Sequence, residues 1–580
     1  MAQMIMMSDW HPDIVEFIIS KMQNPGVLRH LIKNSKDPEV IAEAEKKLKF
    51  TPLTQMEREL YESIMEGTNG TAKVKDHARK TLADGGRYEV ENLDFLTGAN
   101  ISVNITKEFM EAVENDETYD LRFPDTENFT EEEKHIYDTE WRDMGDVREW
   151  EARGLPVRVH RTVKARDIWD LIAFCSTYSA EPGIFFIDNA NADTNATAYG
   201  QKVVATNPCG EQPLAPYSVC NLAAVNLANF VNKKTGEILY DKLSDSVATL
   251  IRMQDNVIDE TPYFLEANKE QALGERRIGL GVMGLHDMMI WAGVKYGSGD
   301  SLEMIDKVFS TIAYSAYGTS IELAKRKGSF PFLTDREAFI NTGYMSKMPD
   351  EIRDGVMEYG IRNSHLLTIA PTGSTGTMVG VSTGLEPYFS FSYFRSGRLG
   401  KFIEVNAAIV DEWLSYHPEY TKDTLPDIFV SAMDMEPNAH VNVQTSIQYW
   451  IDSSISKTVN APKGYTVDQV KKVYEKLYRD GAKGGTVYVD GSRDSQVLSL
   501  TNDEDTEAWN QEMDDSMEVD IHVKKKDAKK ESTDLRADRQ DREIGTNIGD
   551  ICPICMEGTV TEIGGCATCN NCGMQLQCGL

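Results

Sequence analysis

Three side chains of complementary chemistry stand at alternate positions of one short stretch. They are the amide of Asn207, the thiol of Cys209 and the carboxylate of Glu211, in Asn207-Pro-Cys-Gly-Glu-Gln-Pro-Leu-Ala-Pro-Tyr-Ser-Val-Cys220. Residues two apart in an extended chain project to the same side, so the spacing predicts that all three surround one substrate atom. A carboxylate shielded from water serves as a general base, and an amide fixes a substrate hydroxyl. Taken alone, a cysteine on a loop rich in Pro and Gly is more often a structural thiol than a reactive one. Cys220, by residue type alone, reads as a small buried hydrophobe.

A second stretch, Pro371-Thr372-Gly373-Ser374-Thr375-Gly376, follows the apolar run HLLTIA. Its glycines and hydroxyls suit a phosphate cradle of backbone N–H groups at a helix start, although such turns are common after strands. The lysine of a P-loop is absent, so a P-loop ATPase is not supported. Most of the nine cysteines crowd the end of the chain, where Cys552-Pro-Ile-Cys555 and Cys569-Asn-Asn-Cys572 are separated by thirteen residues. That spacing matches a tetrahedral zinc ribbon, with Cys566 and Cys578 left over and a different partition of ligands still open. A DNA-binding ribbon is the bland alternative, and the lack of basic residues around it counts against that.

The elements that must position these groups follow from punctuation and periodicity. Prolines 208, 213 and 216 with Gly210 exclude a regular helix and place Cys209 on a shaped loop entering from a strand. Around it, ISVNI, PGIFFID (182–188), KVVAT, HLLTIAP (365–371) and GGTVYVD (484–490) read as short strands between helical stretches. The alternation predicts an α/β fold with largely parallel pairing. Thr106 is placed to cap the amphipathic helix KEFMEAVE, and HPDIVEFIISK carries Ile14, Phe17 and Ile18 at helical spacing. Residues 31–92, rich in Lys and Glu, read as a surface helical insertion that includes LTQMERELYESIMEG, and Cys175 in LIAFCSTYS reads as a core thiol. Three regions are expected: a body (1–500), a charge-dense tether (501–549) and a cysteine-rich tail (550–580). If flexible, the tether has a root-mean-square span of roughly 40 Å, so the tail could travel.

Composition bounds the function classes. With 580 residues, 41% hydrophobic and 9% aromatic, the chain has material for a large core. A net charge of −32 argues against a dedicated binder of nucleic acid or anionic membrane, which needs clustered positive charge. No run approaches the roughly 20 apolar residues of a membrane span. The start MAQMIMMSDWHPD lacks the features of a secretion signal, so a cytoplasmic protein is expected. In a reducing compartment, crowded cysteines suggest metal or redox chemistry rather than structural disulfides.

The stretch NPCGEQPLAPYSVCNLAAVNLANF resembles the active-site loop of ribonucleotide reductases, specifically the adenosylcobalamin-dependent class II enzymes. GANISVNITKEFMEAV (98–113), EPGIFFIDNANADTN (181–195), GERRIGLGVMGL (274–285), APTGSTGTMVGVSTGLEPYFSFSYFR (370–395), VNVQTSIQYWIDSSISKTVN (441–460) and GAKGGTVYVDGSRDSQVL (481–498) resemble that family in the family's order. The likeness covers most of residues 1–30 and 95–500, plus the tail. It implies part of a ten-stranded α/β barrel with a central active-site loop, followed by a flexible linker and a small zinc ribbon. Cys209 would carry the thiyl radical that removes the ribose 3′ hydrogen, Glu211 would take the 3′-hydroxyl proton, and Asn207 would hydrogen-bond the sugar. Cys220 would be one member of the redox pair that reduces the 2′ position. Pro371, Thr372, Gly373, Ser374 and Thr375 would hold the substrate phosphates.

Members of the family that import their radical carry two adjacent tyrosines where this chain has Tyr488 followed by Val489. That departure implies a radical made on the spot, with adenosylcobalamin as cofactor. In the tail, the resemblance implies thiol–disulfide exchange at Cys566 and Cys578, with structural zinc on Cys552, Cys555, Cys569 and Cys572. The implied partners are a ribonucleotide substrate, nucleotide effectors and a thioredoxin- or glutaredoxin-like reductant, with homodimerisation open. The family carries a long N-terminal part, including the other redox cysteine, before the segment resembling MAQMIMMSDWHPDIVEFI. The expectation is therefore a split enzyme whose N-terminal half is a separate chain. Two other readings compete. A glycyl-radical reductase is disfavoured by GMQLQCGL, and a non-catalytic subunit with a zinc module is disfavoured by the retained Asn207, Cys209, Glu211 and Cys220.

Overall fold

Alternation along Ala99–Ile105 turns Ile101, Val103 and Ile105 to one face of a strand and Asn100, Ser102 and Asn104 to the other. The computed structural model describes residues 3–66, 72–92, 95–96, 98–397, 400–492 and 498–499, and the tail strands Val560–Ile563, Cys566–Cys569 and Gln575–Cys578. Ala99–Ile105 is second in a five-stranded sheet, in the order Gln3–Ser8, Ala99–Ile105, Gly183–Phe186, Gly484–Val489, Thr458–Ala461. The first three strands are mutually parallel, and so are the last two. The groups meet antiparallel, with Gly484 opposite Phe185. The apolar face packs under helices Ile14–Ile19, Lys107–Glu114, Ala165–Ser179 and Val467–Arg479. Each aliphatic side chain fully buried there contributes about 1.5–3 kcal/mol. The expected cap is present: the Thr106 hydroxyl accepts from the Phe109 N–H at 3.1 Å, an arrangement worth about 1 kcal/mol.

A second series of strands begins with the parallel pair Asn221–Asn226 and Ile278–Met283. Single parallel bridges, Leu280 to Leu367 and Ile369 to Ile455, extend it. Its core gathers around the helices Tyr240–Glu260 and Gly299–Lys327. HLLTIAP is thus bridged at two points rather than a regular strand, and KVVAT contributes only Ala205–Thr206. Among the described residues the two series do not join into one closed ten-stranded sheet. The physical reason lies at the bridged segments, where the Ser454 N–H donates to the Glu211 carbonyl at 2.9 Å instead of to a neighbouring strand.

Residues 31–92 hold the helices Pro38–Lys47, Gln55–Glu66 and Ala72–Asp84 and also an antiparallel pair, Leu48–Pro52 with Gly86–Val90. LKFTP and GRYEV lack clear alternation. The pair is held instead by contacts such as Phe50 against Tyr88, with ring centroids 4.8 Å apart. Cys175 is fully buried, as read from its helix, and burial pushes its thiol up to about 12.

The chain divides into a large unit, residues 1–394 and 404–519, and a small one, residues 395–403 and 520–580. In the small unit the three tail strands form an antiparallel sheet in chain order. The tether 501–549 and Cys552, Cys555 and Cys572 lie outside the described residues. Among the described residues no helix is long and apolar enough to cross a membrane.

Candidate active site

Ala205–Thr206 and Pro213–Leu214 pair antiparallel and present residues 207–212 as the loop of a hairpin. The prolines and Gly210 shape it as predicted, but the extended conformation expected for 207–211 does not form. Gly210, at φ +78°, lets the chain turn, and its N–H donates to the Asn207 carbonyl at 3.0 Å. The Asn207 side-chain oxygen accepts from the Gln212 N–H at 3.0 Å. Asn207 therefore braces the loop, and that local bond is the reason simple alternation fails here.

The turn sorts the two candidate groups by depth. Cys209 is exposed at the tip, whereas Glu211 is only 2% exposed. Burial raises the Glu211 carboxyl above the ordinary range, with a backbone N–H and the Asn207 amide pulling it partly back. Its Oε2 has no hydrogen-bond partner. Burial, and then the charge of Glu211, raises the Cys209 thiol. Cys220 is partly buried and donates to the Asn221 carbonyl at 3.4 Å. Burial pushes its thiol well up, with the Arg277 charge pulling it partly back.

Both walls hold the loop: Asn100 of the five-stranded sheet donates to the Pro208 carbonyl at 2.8 Å, and the interrupted wall bonds the other end. The Glu211 carbonyl accepts from the Ser454 N–H and from the Thr368 hydroxyl, the latter at 2.7 Å. Gly279 is needed for close approach: a Cβ there would lie 2.8 Å from the Cys220 sulfur, 2.9 Å from Gln212 Nε2 and 2.7 Å from a Thr368 methyl. Thr368 in turn leads to the second candidate stretch. Thr372 holds a left-handed φ of 48° just before helix Gly373–Val379, and its hydroxyl accepts from the Gly384 N–H at 2.7 Å. That conformation costs a non-glycine residue about 1–2 kcal/mol. Ser374 and Thr375 are exposed, with the backbone N–H groups of the helix start beside them.

A cavity of about 260 Å³ opens beside Cys209. Its wall mixes the polar Asn100, Ser102 and Thr486 of the five-stranded sheet, with Ser456 and Lys457, and the apolar Met4, Phe185 and Ile455. Sequence reasoning missed Lys457. Its buried ammonium donates to Glu386 at 2.5 Å, to His440 Nδ1 at 3.1 Å and to the Thr458 carbonyl at 3.1 Å. Glu386 also accepts from the Thr458 N–H at 2.8 Å, which ties the segment after the Thr372 turn to the cavity wall. The available signal was a single lysine inside the otherwise uncharged run SISKTVN.

The family described as ribonucleotide reductase, barrel domain, matches residues 1–488. The chain is 32% identical over 424 residues to the vitamin B12-dependent ribonucleoside-diphosphate reductase of Thermoplasma acidophilum, covering 70% of this chain and 49% of that one. It is 28% identical over 445 residues to the protein of the same description from Mycobacterium tuberculosis, covering 73% and 57%. A ribonucleoside-diphosphate reductase subunit alpha of Chlamydia pneumoniae is 27% identical over 366 residues, covering 55% and 35%. The chain spans about half the length of the curated B12-dependent relatives named here. With the candidate hairpin inside the matched region, this chain belongs to the barrel-domain family of ribonucleotide reductases.

Proposed function

We propose that this chain carries the catalytic barrel portion of an adenosylcobalamin-dependent enzyme that reduces ribonucleotides to 2′-deoxyribonucleotides. The observation that carries the reading is the hairpin with the strand that follows it: Cys209 exposed at the hairpin's tip, Glu211 buried behind it, and Cys220 directly before strand Asn221–Asn226. A thiyl at Cys209 takes the ribose 3′ hydrogen, forming S–H and leaving the unpaired electron on C3′. Glu211, kept from water, accepts the 3′-hydroxyl proton. Of two thiols, Cys220 among them, one gives the proton with which the 2′-hydroxyl leaves as water, the other supplies the hydrogen that C2′ gains, their sulfurs join as a disulfide, and Glu211 returns its proton to O3′. The hydrogen then returns from Cys209 to C3′, restoring the thiyl. Asn207 holds the loop and offers its amide to the sugar, and residues 371–375 hold the phosphates through the N–H groups of the helix start.

The cavity beside Cys209 suits the nucleoside part of the cofactor, because Asn100, Ser102, Ser456 and Thr486 wall it with small hydrogen-bonding groups. Adenosylcobalamin, when bound, supplies the radical chemistry that oxidises the Cys209 thiol by one electron. Tyr488 is followed by Val489, which is buried in the core, so the strand offers no adjacent second ring for a relay. The B12-dependent names of the relatives support the same choice. In the tail, Cys566 and Cys578 stand directly opposite each other across an antiparallel pair. Opposed residues lie about 4.5–5.5 Å apart at Cα, within the range a disulfide spans. That register supports a tail dithiol that regenerates the site and is itself reduced by a thioredoxin- or glutaredoxin-like protein. Zinc on Cys552, Cys555, Cys569 and Cys572 completes the reading of the tail.

The test is anaerobic deoxynucleotide formation from ribonucleoside diphosphates with adenosylcobalamin and dithiothreitol, using this chain alone and mixed with the N-terminal region of a longer relative. Product that requires adenosylcobalamin is expected. Product that instead requires formate and an activating enzyme would identify glycyl-radical chemistry, and no product in any mixture would identify a non-catalytic subunit.

A further inference from the structure

Two arginines stand directly before an apolar strand in Glu275-Arg-Arg-Ile-Gly-Leu-Gly-Val-Met283, and the chemistry above uses neither. Arg276 is held by Asp255 and Asp259 of helix Tyr240–Glu260, at 2.8 and 2.7 Å. Arg277 is different. Its side chain and that of Glu275 are fully buried, and they pair at 3.4 Å. Arg277 Nη1 donates to the Pro213 carbonyl at 3.2 Å, and Glu275 accepts from the Ser218 hydroxyl and from Tyr199 at 3.3 Å. Pro213 closes the loop that bears Cys209 and Glu211, and Ser218 stands just ahead of Cys220. One buried ion pair therefore fastens both ends of the segment that joins the reactive groups. Two residues further on, Gly279 leaves the space into which Cys220 and Gln212 fit. Apolar side chains would fill the same volume at least as stably, so a fully buried pair bonded to this segment points to a geometric role.

We propose that Glu275 and Arg277 are positioning residues of the active-site hairpin, setting the spacing of Cys220 from Cys209 and Glu211 by clamping Pro213 and Ser218. The chemical roles of those three residues rest on the proposed function, whereas the clamp has a readout independent of turnover. That readout is site-resolved alkylation of the folded full chain by iodoacetamide, with buried Cys175 as the reporter of general unfolding. In Ser218→Ala the alkylation rate of Cys220 rises about tenfold while Cys175 stays protected, and Ser218→Thr restores the wild-type rate. Arg277→Lys keeps the charge but loses the fork, and raises the Cys220 rate less. In the deoxynucleotide assay the same two variants lower kcat about tenfold with KM within about twofold of wild type. Cys209 and Cys220 rates within about twofold of wild type in both variants would overturn the proposal. So would a parallel rise at Cys175, which would make the pair a core brace and nothing more. Absence of product from wild type would contradict the proposed function and leave the alkylation pattern to decide the clamp.

Discussion

The five-stranded sheet is built by plain alternation, with Ile101, Val103, Ile105, Val487 and Val489 under the helices and Asn100, Ser102 and Thr486 toward the cavity. The second series keeps regular pairing in Asn221–Asn226 with Ile278–Met283 and leaves it in the segments around Leu367 and Ile455. Beyond the first pair the ladder is reduced to single bridges, and buried charges stand along the series at Glu275, Arg277 and Asp452. The regular wall bounds the cavity and meets the candidate loop through Asn100, which donates to the Pro208 carbonyl at 2.8 Å. The second wall gives up regular pairing beyond its first pair, and its donors Ser454 and Thr368 reach the Glu211 carbonyl. Asp452 compensates locally: it accepts from the Leu366 and Leu367 N–H groups at 2.7 and 3.1 Å and from the Tyr317 hydroxyl at 2.7 Å.

Substitutions on the two walls should therefore fail in different ways. The largest expected effect is at the loop, where Glu211→Gln removes the base and lowers turnover by about 10²–10⁴-fold in the deoxynucleotide assay, with the melting temperature not lowered. On the regular wall, Ile105→Ala, away from the cavity, loses about 2–5 kcal/mol of stability in urea titration but leaves kcat per folded molecule unchanged. On the irregular wall, Gly279→Val puts methyl groups where Cys220 and Gln212 already sit. It loses about 1–3 kcal/mol, and it also loses turnover out of proportion to the unfolded fraction. Equal stability and activity losses at 105 and 279 would erase the distinction between the walls.

The smallest effect is a slope. The folded-state pKa of Glu211 lies above its unfolded value because of burial, so the folded chain binds that proton more tightly. Its contribution to stability is complete below the unfolded carboxylate range and is lost as pH rises through the folded pKa. Glu211→Gln removes this slope, which urea midpoints measured from the carboxylate range to neutrality would register.

The same contrast explains what was legible in the sequence. The Ala99–Ile105 and Gly484–Val489 strands, the Thr106 cap and the irregular character of the Cys209 loop follow from alternation, a capping hydroxyl and prolines, all of which are local signals. The inward set of an extended 207–211 did not form, because Asn207 bonds Gln212 and Gly210 turns the chain. The Leu48–Pro52 and Gly86–Val90 pair, the Lys457 node and the Arg277 clamp were missed for one reason. Each is made by residues distant in sequence, such as Arg277 with Pro213 or Lys457 with Glu386, and such bonds leave no period to read. Uncharged or apolar runs interrupted by a single lysine or an arginine pair were the only trace.

The central claim is the proposal that the loop held between the two walls presents Cys209 as the radical-bearing thiol. Its most direct test compares wild type with Cys209→Ser in anaerobic deoxynucleotide formation with adenosylcobalamin and dithiothreitol, each with the N-terminal region of a longer relative present, and with Cys175 protection confirming that both are folded. Deoxynucleotide from wild type and none from the serine variant is the predicted result. Turnover retained in Cys209→Ser would contradict it, because a hydroxyl at that position cannot take the thiol's part.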